Sequence, residues 1–362
     1  MAAESGLTTL APEGLQRFRS LQSEAVNAVT KLFYSAHGSM YARFGARGRE
    51  ACREDIASHL DFLRPVLEFG ELQPMVDYLA WLSSVLAARS IPHDHVALSL
   101  EWLATFFVER MEGNEGWVVS DALHAARTEF LRAVEAPEAS PCPLEHPEEQ
   151  AAFLAALLAG RRNDALSVVD RWFDDQRSLV DLEQHLITPS LYQIGRKWQM
   201  NQVTVAQEHM ATAIVQSVMT VGLMRSSPSS LIGKSVLLAC VEGNNHAIGL
   251  NMLSDAFQLD GWDVQYLGPN MPTSSLVEQI IESKPDLVGL SVSFPQQFPF
   301  VKDIVAQMNG RLGGSRPRVI IGGLAINQFA PLAGAVNADA YMSNAAAAVA
   351  YGNQSVEGRA YG

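Results

Sequence analysis

The chain has 362 residues, 48% of them hydrophobic and 18% charged, with a formal net charge of −13 and a pI near 5.1. That is an ordinary folded composition, long enough for two or three domains with separate cores, and its acidic balance argues against nonspecific binding to a phosphate backbone. Three scattered cysteines (Cys52, Cys142, Cys240) exclude a disulfide framework or a zinc site. No apolar run reaches membrane-span length and no signal-peptide pattern opens the chain, so the expectation is a cytoplasmic protein with no nucleic-acid or membrane partner.

Residues 1 to about 12 read as a loose tail. From Pro12 to about Val134, apolar residues recur at three- and four-residue spacing, which predicts helices throughout. Pro65, Pro74 and Pro92 punctuate the pattern, and Ser90-Ile-Pro-His-Asp94 reads as a helix start with its proline just inside. Arginines (Arg43, Arg47, Arg49, Arg53, Arg64) crowd one part of this region, and aromatics are dense beside them. Taken singly, each aromatic reads as core and each arginine as solvated surface. A proline-rich break, Glu135 to Pro143, reads as a linker.

Helical patterning resumes near His146. Segments at 147–160, 164–174, 178–199 and 203–226 predict a four-helix bundle, closed by Ser227-Ser-Pro-Ser-Ser230. Strand-like runs at 235–240, 263–267, 286–292, 318–322 and near 339–342 then alternate with helical stretches, the pattern of a doubly wound parallel sheet. From Gly352 onward no core-forming pattern remains, so a tail is expected. The expected fold class is therefore α followed by α/β. Its domains are a helical one over 1–140, a four-helix bundle over 141–230 and a Rossmann-like domain over 231–362.

The most informative stretch is Glu242-Gly-Asn-Asn-His-Ala-Ile-Gly249, between the first strand-like run and a helical pattern. Loops at the carboxyl ends of parallel strands are where open α/β sheets bind ligands. A histidine on such a loop is free to coordinate a metal. The spacing His246-x-x-Gly249 resembles the Asp-x-His-x-x-Gly signature of cobalamin-binding domains. Three further segments follow in that family's order: Leu267-Gly268 ahead of Pro272, Ser291-Val-Ser293, and Gly322-Gly323.

The resemblance implies that His246 is the lower axial ligand of cobalt. It also implies that Asn244, Asn245, Ala247, Ile248, Gly249, Leu267, Gly268, Ser291, Ser293, Gly322 and Gly323 line the cobalamin site. Two departures stand out. Ser293 occupies a position that is often leucine, and Asn244 replaces the usual aspartate. A neutral amide at 244 can orient the histidine without adding to its basicity.

Within the predicted bundle, Trp198 is followed nine residues on by Glu208-His209. This arrangement resembles the upper-face cap of light-sensing adenosylcobalamin proteins. There the tryptophan covers the adenosyl group, with the Glu and His beside it. Light-dependent repressors of that class have a histidine after the tryptophan, where this chain has Gln199, and begin with a helix-turn-helix domain, of which residues 1–140 show no sign. The N-terminal runs His59 to Gly70, Val76 to Leu82 and Leu98 to Leu103 are similar to the globin-like domain of photocobilins, photoreceptors that carry cobalamin and biliverdin together.

That similarity implies a globin-like first domain holding biliverdin, with Arg43, Arg47, Arg53, His59, Arg64, Tyr78 and Trp81 as candidate contacts. Attachment is expected to be noncovalent, since Cys52 is the only thiol in the domain. The implied function is light sensing through adenosylcobalamin, signalled by a light-dependent homo-oligomer or by contact with a downstream protein. No catalytic nucleophile or acid–base pair is apparent, so the chain is not expected to be an enzyme. A corrinoid methyl-carrier serving a separate methyltransferase is the competing reading. A purely structural or partner-docking role for the helical domain is a third.

Overall fold

The computed structural model describes residues 7–134 and 146–357, so the proline-rich linker expected at 135–143 lies outside the described residues. The chain forms two compact units, Met1–Ala139 and Ser140–Gly362. Among the described residues no helix is long and apolar enough to cross a membrane.

The first unit is helical: α1 (Pro12–Tyr41), α2 (Gly45–Phe69), α3 (Gln73–Ala87), α4 (Asp94–Arg110) and α5 (Glu115–Val134). Its core includes Phe18, Leu60, Leu63, Leu103, Phe107, Leu123 and Phe130, all fully buried. Three expectations need correcting. The segment before α1 is docked: Leu10 is buried and its N–H donates to Leu67 O at 2.8 Å. Pro65 lies inside α2 without ending it, the surrounding apolar face outweighing one lost backbone bond. Pro92 lies outside α4, which opens at Asp94, so it marks the turn before the helix.

The second unit begins with α6 (Pro147–Leu158), α7 (Arg162–Asp174), α8 (Leu179–Leu182), α9 (Thr188–Gln199) and α10 (Val205–Arg225). A single π turn, Glu183–Ile187, joins α8 to α9. These two helices therefore act as one rod with a wide turn in it, and the whole is a four-rod bundle. The cause of the wide turn is readable. Pro189 has no N–H and would press on the carbonyl of His185 in an unbroken α-helix. The rod widens instead, with Thr188 N–H and Oγ1 both donating to Glu183 O.

A five-stranded parallel sheet follows: β1 (Ser235–Cys240), β2 (Asp263–Gly268), β3 (Leu287–Ser291), β4 (Arg318–Gly322) and β5 (Ala340–Met342). The order is β2-β1-β3-β4-β5, every pair parallel, with α11 (Ile248–Leu259), α12 (Thr273–Ser283), α13 (Phe298–Leu312), α14 (Leu324–Gln328), α15 (Ala330–Ala335) and α16 (Ala345–Glu357) between and after the strands. β1 and β3 are neighbours on opposite sides of the point where the winding reverses, so the crevice of this sheet opens at their carboxyl ends. The buried strands are nearly continuous apolar runs, as strands covered on both faces must be. Bundle and sheet share apolar packing through α11, whose Ile248, Met252 and Leu259 lie against the bundle core.

The chain does not stop contributing at Gly352. That residue is buried against Trp262 and Phe257 inside α16, where a Cβ would come within 3.0 Å of the indole. Asn353 accepts from Trp262 Nε1 (3.0 Å) and donates to Asp260 Oδ2 (2.9 Å). The alanines of 345–350 and Gly352 hid this in the sequence, because they pack by close approach rather than by bulk. Asn353→Ala should lower stability by about 1–3 kcal/mol, the worth of two part-buried hydrogen bonds. Urea midpoints of the two proteins measure it.

Candidate functional site

The loop 241–247 leaves the end of β1 and enters α11, and it is pinned from three sides. Asn244 is fully buried; its Nδ2 donates to Ser291 O at the end of β3 (2.9 Å), and its Oδ1 accepts the backbone N–H of His246 (3.0 Å). The Asn270 side chain accepts from Gly243 N–H (2.8 Å), while Gln297 Nε2 donates to Gly243 O (3.1 Å). Gly243 itself sits at φ +78°, a conformation that favours glycine.

Thus His246 is fixed through its backbone, not by a bond from Asn244 to its ring. That corrects the expectation that residue 244 orients the imidazole. It also explains the amide in place of a carboxylate, because an amide donates to Ser291 O while accepting from His246 and an ionised carboxylate can only accept.

The His246 imidazole is solvent-accessible and stands edge-on to Phe294, ring centroids 5.0 Å apart at 82°. Loss of hydration lowers its pKa, and the Glu208 carboxylate pulls it partly back up. At neutral pH the ring is therefore neutral, with a lone pair to offer a metal. The same interaction places Glu208, in the first turn of α10, within electrostatic reach of His246.

A cavity of about 620 Å³ opens beside this histidine. Its walls are Glu183, Thr188 and Tyr192 of the bundle, Gly249 and Leu253 of α11, Gly289 and Ser291 of β3, Gly322 of β4, and Met342, Ser343, Asn344, Ala345 and Ala348. No atom lies within 4 Å of a Cβ built on Gly249, so that glycine leaves open space at the cavity wall. Gly323 plays a different part: at φ +110°, with a Cβ that would fall 2.4 Å from Val292 O, it lets β4 turn tightly past the end of β3.

Of the residues singled out by sequence, His246, Ile248, Gly249, Ser291, Ser293, Gly322 and Gly323 meet at this cavity. Leu267 and Gly268 do not line it. They end β2 at a register shift against β1, and the loop they begin carries Asn270 to the back of the histidine loop. Asn245 is exposed, Ala247 packs against the sheet core, and neither belongs to the cavity wall.

Trp198 is half-buried at the end of α9. Glu208 and His209 follow a Thr204/Gln207 capping box at the start of α10, which fixes the direction in which they leave the bundle. His209 Nδ1 lies 2.6 Å from Glu208 Oε2, its ring largely exposed, and Thr212 Oγ1 donates to Glu208 Oε1 (3.0 Å).

In the helical unit the candidate contacts divide. His59 and Tyr78 are buried partners (Nδ1 to Oη, 2.9 Å), Tyr78 stacks on Phe62, and Trp81 lies beside it with its centroid 6.4 Å away. Burial drops the His59 pKa to about 3. Arg43 donates to Arg89 O and Ser90 O, Arg53 pairs with Glu50, Arg64 with Glu68, and Arg47 is exposed. Sequence reasoning missed a second group on α1 and α4. The His37 and His95 rings lie 4.3 Å apart, tilted at 38°, beside Phe33 and Trp102, and Tyr41 Oη meets His95 Nδ1.

It also missed Glu183 and Asp255, two carboxyl groups hydrogen-bonded to each other where the rod of α8 and α9 packs on α11. Burial raises both pKa values, Glu183 the further because the Asp255 charge adds to it. An acid set among Leu179, Leu182, Leu186 and Ile187 on a buried helix face was the available signal.

Residues 234–350 match the B12 binding domain, and residues 149–221 match a second B12 binding domain model. The HTH-type transcriptional repressor CarA of Myxococcus xanthus is 30% identical over 200 residues, covering 54% of this chain and 63% of the repressor. The repressor CarH of the same organism is 30% identical over 142 residues, 39% of this chain and 46% of that protein. Dimethylamine corrinoid protein 3 of Methanosarcina mazei is 30% identical over 123 residues, 34% of this chain and 72% of that protein. The chain thus spans less than two thirds of either repressor.

Two outcomes test this geometry. Asn244→Asp should destabilise the second unit by about 1–3 kcal/mol, since it sets a carboxylate against Ser291 O and removes a buried donor. Thermal melts of the two proteins measure that loss. The carboxyl pair gives a pH signature. The folded state holds a proton that the unfolded chain releases near the ordinary carboxyl value of 4.5. Stability should therefore fall as pH rises from 4.5, levelling near the raised value of about 10, and Glu183→Gln should flatten that slope in urea titrations across the range.

Proposed function

This chain belongs to the family of proteins with B12-binding domains, and on that premise we propose that it senses light through bound adenosylcobalamin. Biliverdin is a second chromophore in the helical unit. The output is a change in self-association or in contact with a partner protein. The observation that carries light sensing is the group Trp198, Glu208 and His209 on two bundle helices, with the Glu208 charge felt at His246.

The residues present suit a corrin. A neutral histidine stands on a pinned loop, and open space lies over Gly249 at the wall of the cavity. His246 would supply the nitrogen ligand to the metal, the cavity lined by Gly249, Ser291 and Gly322 would receive part of the cofactor, and Trp198 would shield its reactive side. Adenosylcobalamin supplies a light-labile cobalt–carbon bond. Gln199 offers no imidazole, so the exposed His209 would be the nearest other nitrogen donor by sequence.

For biliverdin, the aromatic and imidazole group of Phe33, His37, Tyr41, His95 and Trp102 supports a platform for a flat conjugated ligand. Burial pushes the Cys52 thiol up to about 12, so it stays protonated and is a poor nucleophile; this favours noncovalent attachment. A methyl-carrier role is the second reading, supported by the dimethylamine corrinoid protein, 72% of which this chain covers.

Illumination separates the two. A sensor should bind adenosylcobalamin at least as well as methylcobalamin and change its elution volume in size-exclusion chromatography after green light. Preference for methylcobalamin with a light-indifferent size would establish the carrier instead. In the cobalt(II) form, wild type should show nitrogen hyperfine splitting from the protein by electron paramagnetic resonance, and His246→Ala should lose it. Protein reconstituted with biliverdin should absorb in the red after gel filtration.

A further inference from the structure

We propose that Gly195 is a specificity-determining residue: it leaves a notch between Tyr192 and Trp198 that admits a cobalamin carrying a bulky nucleoside as its upper ligand. The inference rests on the adenosylcobalamin reading above. Gly195 stands inside α9 with ordinary helical backbone, so no left-handed turn calls for glycine there. After proline, glycine is the least favoured residue in a helix interior. Packing does not demand it either, because a Cβ built on it meets no atom within 4 Å. The protein thus gives up helix stability at a position where its own atoms leave room for a side chain.

Helix geometry fixes what this room faces. At about 100° per residue, Ser190 and Ile194 share one side of α9, and both are buried, Ile194 in the bundle core. Thr188, Leu191 and Tyr192 fall together on another side, and all three line the cavity that also holds His246. Gly195 lies in the middle of that stripe, about one turn further along the helix. Trp198 borders the same stripe after one more turn.

Residues three apart are neighbours on a helix surface, so Gly195 is flanked by Tyr192 on one side and Trp198 on the other, the first exposed and the second half-buried. Two aromatic side chains around a position that has none make a slot with apolar walls. Such walls suit a purine base and its sugar, which meet aromatic rings by stacking or edge contact. A methyl group or a water on the metal is too small to need the notch. A side chain at 195 therefore discriminates by the size of the upper ligand.

Full-chain wild type, Gly195→Ala and Gly195→Leu are titrated in the dark with adenosylcobalamin, methylcobalamin and aquocobalamin, and affinity is read from the absorption change. Affinity for adenosylcobalamin should fall about threefold with Ala and about thirtyfold with Leu, the cost of overfilling a fitted space. Affinity for the two forms with small upper ligands should stay within about twofold of wild type on both variants. Melting of the ligand-free proteins separates this from damage to the fold. Ala and Leu are better helix formers than glycine, so neither variant should melt below wild type.

A loss graded by side-chain size and confined to adenosylcobalamin supports the notch. Equal adenosylcobalamin affinity in wild type and the Leu variant overturns the proposal, and so does an equal loss for all three cobalamins. Wild type that takes up methylcobalamin but refuses adenosylcobalamin overturns the reading beneath it as well.

Discussion

One buried amide holds the candidate site together. Asn244 lies across the crevice between β1 and β3, taking the backbone N–H of His246 on one side and giving its own N–H to Ser291 O on the other. The strands it spans are the two whose carboxyl ends form the crevice, so the position of the histidine is set by the sheet. The Asn244 side chain and its bond to Ser291 O are buried, so water does not compete for that half of the bridge. The residue type follows from the two bonds: one partner is a donor and the other an acceptor, and no ionised side chain satisfies both.

The fold was legible where apolar periodicity is dense. The strand-like runs at 235–240 and 318–322 and the helices of the bundle stand out because branched and apolar residues recur without interruption. Legibility failed where packing depends on small residues. Gly352 carries no hydrophobic signal, yet it fits against Trp262 because it has no side chain. The site divided in the same way. The resemblance to cobalamin-binding domains pointed to His246, Gly249, Ser291 and Gly322, which meet at the cavity, whereas Gln297 and Asn270 reach the loop from segments 54 and 27 residues beyond Gly243 in sequence. Spacing cannot reveal such supports, because only the folded crossing brings them near. The role of Asn244 was half readable: its position implied a partner, but the partner is main chain and not the ring.

Buried ionisable groups in both units are neutralised instead of paired with opposite charge. In the helical unit His59 keeps an uncharged ring against Tyr78, and at the other unit's cavity Glu183 keeps its proton beside Asp255. For His59 the sign is that of a depressed base: its contribution to stability is present above the ordinary value of 6.5 and lost as pH falls toward about 3. The carboxyl pair has the opposite sense. Acid therefore weakens one unit while it relieves a burden on the other, and the neutral form of each group leaves the surrounding apolar packing undisturbed.

The wide turn between α8 and α9 makes chain length a constraint of its own. Removing one residue between Leu182 and Thr188 would restore ordinary helical geometry, but it would also bring Pro189 against the carbonyl four residues behind it. Everything toward the amino end of the rod would swing round by about a quarter of a turn. Leu179 and Leu182 would then leave the bundle core, and Glu183 would leave the cavity wall. Substitutions in this segment change one contact at a time. A single-codon deletion changes the facing of every residue before it, so the count of residues here shapes the cavity wall as much as their identities do.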